Sequence, residues 1–244
     1  MFYLIETQHQ FKILRAKIAK SCYIDYIYGN DNTHPALAEI IAIYISNLDE
    51  DKGYILPINH PECINLSKDE VFDYIKTLEK IYVLDKKAAL HANPLKSYTD
   101  IQYRYYCTKN EPFPNEFDTQ AHTYFYRKFP QTKVNKMIPI GKHLERCNAK
   151  HREVIQDFTT GFDRFSYEYF DDVLLPALYK LEQNALKFNS MFDEYFTLKN
   201  KKSSIKEDHI YGWYNPYTTT GRPVNNFNGI NFVGLNMTME KEIH

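Results

Sequence analysis

Cys22-Tyr23-Ile24-Asp25-Tyr26-Ile27-Tyr28 is the stretch on which the fold turns. Successive side chains of a strand face opposite ways, and this run is rich in Tyr and Ile on both faces. Such a strand is covered from both sides, which places it at the centre of a sheet. The turn residues Gly29-Asn30-Asp31-Asn32-Thr33-His34-Pro35 end it. Residues 39–46 and 53–58 then read as two more strands, joined as a hairpin across 47–52. Upstream, residues 2–5 read as a short strand. Thr7, with Gln10 three positions on, is a capping box that opens a helix with Phe11, Leu14 and Ile18 along one face. Downstream, Ser67 and Glu70 repeat the box ahead of Val71, Tyr74, Ile75 and Leu78, and residues 81–84 return as a strand.

Composition narrows the function classes. The chain has 244 residues and a formal net charge of −1, so no global basic field announces nucleic acid and any such contact is local. Lys and Arg gather at 127–136, 142–152 and 199–206, runs that usually form solvated helix faces. With 21 Tyr and 16 Phe against 8 Gly, the chain is packed rather than disordered. Cys22, Cys63, Cys107 and Cys147 are dispersed without a C-x-x-C pair, which argues against a zinc site and gives no disulfide framework. The expected setting is therefore a reducing cytoplasm. The N-terminus has no signal-peptide pattern and no apolar run approaches a membrane span, so no membrane partner is expected.

The order strand, helix, three strands, helix, strand predicts an α/β fold with a mixed sheet. It suits an RNase H-like exonuclease domain, in which an antiparallel meander is followed by a helix that crosses to another strand. Residues 93–115, with three Pro and many Tyr, read as an irregular insertion, and from 117 to about 199 the pattern is helical.

Near the C-terminus stands Tyr214-Asn215-Pro216-Tyr217-Thr218-Thr219-Thr220-Gly221-Arg222-Pro223, followed by the Asn-rich run from Asn225 to Asn231. It resembles the T-x-T-G-R segment with which family A DNA polymerases grip the primer–template duplex. Thr hydroxyls suit phosphates, Gly permits close approach and Arg supplies charge-assisted contacts. Other segments resemble the same family in the same order. Tyr23-Ile24-Asp25-Tyr26-Ile27 occupies the place of the first exonuclease motif, and Tyr54-Ile55-Leu56-Pro57-Ile58-Asn59-His60 that of a later strand. Val83 to Leu90 resembles the second motif, and Glu116 to Tyr124 the segment F-D-T-M-L-x-x-Y. Tyr169 to Asn189 is similar to the entry of the thumb. The resemblance implies three parts: an exonuclease-like domain over 1–158, thumb-entry helices over 159–210 and a primer–template-binding segment over 211–244. Departures such as Pro223 and Val224 point to a divergent viral, phage-like branch acting in the host cytoplasm.

The resemblance also locates what is missing. Proofreading exonucleases hold two divalent metals on clustered carboxylates. The first motif needs Asp-x-Glu on one strand face; Asp25 is present, but Ile27 stands where Glu belongs. In the second motif the aligned position is Ala89. Tyr167-x-x-x-Asp171 has the spacing of the third motif, in a Tyr-rich chain where that spacing arises by chance. Asp25 is thus expected as a vestigial catalytic residue, without a metal. The stripe His143, Cys147, His151 does not surround one ion either, since its ends are about 12 Å apart along a helix; a surface or half-buried stripe is expected.

The expected role is duplex binding through Thr218, Thr220, Gly221, Arg222 and Asn231, as part of a family A DNA polymerase in DNA replication, with other replisome proteins as further partners. No palm or fingers motif follows Arg222, so the chain alone is not expected to polymerise. Mg²⁺ is a cofactor of the full-length polymerase and none is expected for this chain by itself. Two other readings stand beside it. One is an active metal-dependent nuclease using Asp25, Asp100 or Asp118, and Asp171; the other is a non-catalytic DNA-binding or replisome scaffold.

Overall fold

Thr7 starts the first helix as its spacing predicts. Its hydroxyl accepts the Gln10 backbone N–H, and the Gln10 side chain accepts the Thr7 N–H in return. In the computed structural model, residues 3–30, 34–103, 135–158, 169–187, 205–206, 209–216 and 224–225 are described. Helix α1 (Gln8–Lys17) leads into β1 (Ser21–Tyr28), then β2 (Ile40–Asn47) and β3 (Tyr54–Pro57). Helix α2 (Lys68–Lys76), capped by Ser67, crosses to β4 (Lys80–Val83). Helix α3 (Lys86–Ala92), capped by Asp85, crosses to β5 (Tyr98–Asp100). Helices α4 (Ile140–Phe158) and α5 (Leu175–Gln183) follow, the latter entered through a π-helical turn at Phe170–Leu174.

The five strands lie in the order β3-β2-β1-β4-β5. Strands β1, β2 and β3 form an antiparallel meander, while β4 is parallel to β1 and β5 parallel to β4. β1 is central, as its two apolar faces require. Cys22, Ile24 and Tyr26 face a core with Phe11, Leu14, Val71, Ile75 and Ile81. Tyr23 and Ile27 face the opposite core with Ile41, Tyr44, Ile140 and Cys147 from α4. Burying an Ile or Leu side chain in either layer contributes about 1.5–3 kcal/mol. Residues 3–5 lie along the outer edge of β3: Leu4 bridges Ile55 in parallel, Ile5 N–H donates to the Ile55 carbonyl, and Ile55 N–H to that of Tyr3.

Three expectations change. Residues 93–115 are not wholly irregular, because Tyr98–Asp100 pairs in register with Ile81–Val83 as β5. The helical pattern does not run to 199, because Asn184 leaves helical dihedrals and Leu186–Lys187 forms β6, paired with β8 (His209–Ile210). β7 (Ile205–Lys206) pairs with the other side of β8, within the basic run at 199–206 read as a solvated helix face. Finally, β9 (Tyr214–Asn215) and β10 (Val224–Asn225) pair antiparallel.

The entry to α5 has a local cause. In the π turn, Leu175 N–H reaches back five residues to the Phe170 carbonyl. Residue 176 is proline and has no N–H. The Asp171 carbonyl therefore has no helical donor, and Lys86 Nζ from α3 donates to it at 2.7 Å. The irregular turn and the buried lysine complete one another.

Candidate functional site

Parallel pairing of β1 with β4 stops at Tyr23. Beyond it β1 runs on to Tyr28 and turns into β2, while β4 turns into α3. Crevices open where adjacent parallel strands send their chains apart. Here that crevice is a cavity of about 180 Å³, lined by Asp25 and Tyr28 of β1, Asp85 and Ala89 at the start of α3, and Arg146 and Lys150 of α4. The Tyr28 hydroxyl donates to the Ala88 carbonyl across one side of it.

Asp25 does not stand ready for a metal. Lys150 Nζ donates to its Oδ2 at 2.8 Å, and the Cys147 thiol lies 4.0 Å from the same oxygen. The Asp25 and Lys150 side chains are 16% and 10% exposed, so the pair is largely shielded from water. Arg146 and Lys150, one turn apart on α4, reach the same cavity. Ile27, on the same face of β1 as Asp25, is packed in the apolar core. Ala89 lines the same cavity as Asp25. The cavity offers two carboxylates, Asp25 held by Lys150 and Asp85 accepting the Ala88 N–H at the start of α3, with Arg146 and Lys150 beside them, and this set does not fit two divalent metals. Among the described residues, no three His, Cys, Asp or Glu side chains form a group able to hold a metal ion.

Asp100 and Asp171 belong to a second, buried cluster behind the first turn of α3. Asp100 Oδ2 accepts the Lys86 N–H and Oδ1 the Tyr103 N–H, both at 2.7 Å. Asp171 Oδ1 accepts the Asp100 N–H at 3.1 Å, and its Oδ2 pairs with Lys86 Nζ at 3.1 Å. Neither aspartate lines the cavity that holds Asp25, so the trio Asp25, Asp100 and Asp171 is split between two sites. Asp118, Tyr167, Thr218, Thr220, Gly221, Arg222 and Asn231 lie outside the described residues.

The stripe His143, Cys147, His151 is neither exposed nor half-buried: the three are at most 2% exposed and form the inward face of α4. His143 Nε2 meets the Asn135 carbonyl at 2.9 Å, and the His151 ring packs on Tyr23 and Tyr44. Burial pulls His151 down to about 4, which keeps it neutral at physiological pH.

Burial, and then the Asp85 charge, push Asp100 up to about 8, against the two N–H groups that it accepts. Burial also raises Asp171 against the pull of Lys86, and Asp85 against that of Lys87. The unfolded Asp100 carboxyl titrates near 3.8, so between that value and about 8 the folded state holds a proton which the unfolded chain has released. Its contribution to stability is full below the unfolded value and is lost as pH rises through the folded one. Denaturation midpoints should therefore fall between about pH 4 and 8, less steeply in Asp100→Asn, which has no proton to lose. Equal slopes for the two proteins would refute the assignment.

No family model and no curated protein sequence matches the chain. No helix among the described residues is long and apolar enough to cross a membrane.

Proposed function

We propose that the chain is the leading part of a family A DNA polymerase acting in DNA replication. It comprises an RNase H-like domain without a working exonuclease site, helices that enter the thumb, and a primer–template-binding segment at Thr218, Thr220, Gly221, Arg222 and Asn231. The observation that carries this reading is the sheet order β3-β2-β1-β4-β5 with its strand directions, together with a cleft at the end of β1 that contains Asp25. An exonuclease of that fold cleaves at such a cleft, and here Lys150 occupies the carboxylate. A second support is the pairing of β9 with β10, which brings together the residues that precede and follow Thr218 to Arg222 in the sequence.

Contacts by such a segment go mostly to phosphate and sugar, so binding is tolerant of sequence and sensitive to salt. Arg222→Ala should weaken primer–template affinity by about 1 kcal/mol, roughly fivefold, and reduce the slope of affinity against salt by about one. Fluorescence anisotropy against a salt series measures both. The same preparation should not shorten a labelled primer in Mg²⁺ or Mn²⁺. Trimming that Asp25→Ala abolishes would overturn the reading in favour of an active nuclease, and unchanged affinity in Arg222→Ala would reduce the T-x-T-G-R segment to a turn.

A further inference from the structure

Glu182, on the inner side of α5, is fully buried. Its Oε1 accepts from Lys87 Nζ of α3 at 2.5 Å and from the Tyr214 N–H at 2.8 Å. Its Oε2 lies 3.1 Å from His91 Nε2. Lys87 Nζ also donates to the Tyr214 carbonyl at 2.5 Å and sits 3.7 Å from the centre of the Trp213 ring. On the other side of the same segment, His34 Nε2 meets the Gly212 carbonyl at 2.9 Å. One buried ion pair thus grips both backbone polar groups of a single residue, Tyr214, the first residue of β9.

The geometry points to Lys87 and Glu182 as a positioning pair that fixes the β9–β10 ladder to the sheet domain through Tyr214. The link to DNA rests on the reading above. A ladder of two residues per strand does not hold itself in water. Its register must come from outside, and apolar packing, which has no direction, does not supply it. Two opposite charges aimed at one N–H and one C=O do, because each contact is short and directional. Backbone groups of adjacent strand residues point to opposite sides, so with Tyr214 turned to Glu182 and Lys87, those of Asn215 face its partner Val224. The pair also joins α3, whose first turn lines the Asp25 cavity, to α5 and β9, so the two halves of the chain meet on it.

Lys87→Met in the full chain tests the pair by hydrogen–deuterium exchange and by primer–template affinity. Amides at 211–215 should exchange about tenfold faster while those of β1 keep their protection. Affinity should fall at least as far as in Arg222→Ala, which itself should leave exchange at 211–215 unchanged. Because Lys87→Met leaves Glu182 buried beside an apolar side chain, Lys87→Met/Glu182→Leu, which removes both members of the pair, is measured in parallel and should show the same local loosening. Glu182→Gln keeps an acceptor for the Tyr214 N–H and should recover part of the protection. Unchanged exchange at 211–215 in both Lys87 variants, or loosening that extends equally to β1, overturns the positioning role. Faster local exchange with affinity untouched by either Lys87→Met or Arg222→Ala upholds the anchor and instead removes the DNA reading.

Discussion

Gly53→Ala should lower the melting temperature by roughly 6–12 °C, the effect of about 3 kcal/mol of overpacking in a chain of this size. A Cβ at residue 53 would stand 2.5 Å from Tyr44 Cζ and 2.6 Å from both the Ile45 carbonyl oxygen and Ser46 Cβ. The tyrosine cannot swing aside cheaply. It is fully buried, packed edge-on to Tyr23, and its hydroxyl donates to Asn148 Oδ1 at 2.9 Å. The same oxygen accepts the Gly53 N–H at 2.8 Å, so moving either partner also loosens α4 from the sheet. Gly141, at the start of α4, is the internal control, because nothing lies within 4 Å of where its Cβ would be. Gly141→Ala should be neutral or stabilising by a few tenths of a kcal/mol. Thermal unfolding followed by circular dichroism compares the two, and equal melting temperatures would mean that the close approach at Gly53 is absent.

Lys150→Met should destabilise by about 2 kcal/mol, and much of that loss should return in Asp25→Leu/Lys150→Met. Removing one member of a shielded ion pair leaves the other charge without its partner, whereas removing both leaves neither of the two charges in the cavity wall. The figure lies below that for a fully buried pair because Asp25 retains some exposure and Arg146 reaches the same cavity. Denaturant titration of the two single variants and the double variant closes the cycle. Strict additivity would show that Lys150 and Asp25 do not act on one another. The cycle separates two kinds of carboxylate: one that holds the fold through a lysine and one kept free for chemistry.

Features set by neighbouring residues were readable from the chain. The Thr7–Gln10 box and the Ser67 cap use side chains three positions apart, and β1 showed itself because both its faces are apolar. β5 was not readable. Tyr98, Thr99 and Asp100 are too few to show a period of two, Pro94 precedes them, and only the edge of β4 makes them a strand. On α4, the spacing of His143, Cys147 and His151 marked one face, but the polar residue types concealed that it turns inward. A backbone carbonyl and two tyrosine rings supply partners that no local pattern announces. Asp25 was singled out from its motif, whereas Lys150 comes from a helix 125 positions later. Lys87 and Glu182 lie inside the two stretches singled out at 83–90 and 169–189, but nothing in the sequence pairs them: each reads as a surface charge until α3 and α5 pack together.

The segment along the outer edge of β3 has a practical meaning. A sheet edge displays a row of unsatisfied N–H and C=O groups, the template on which a second molecule adds its own strand. Residues 3–5 occupy that row beside Ile55. A shortened N-terminus, or a fusion partner that pulls these residues away, would bare the template. Residues 3–5 thus cover an edge on which a second molecule would otherwise add a strand.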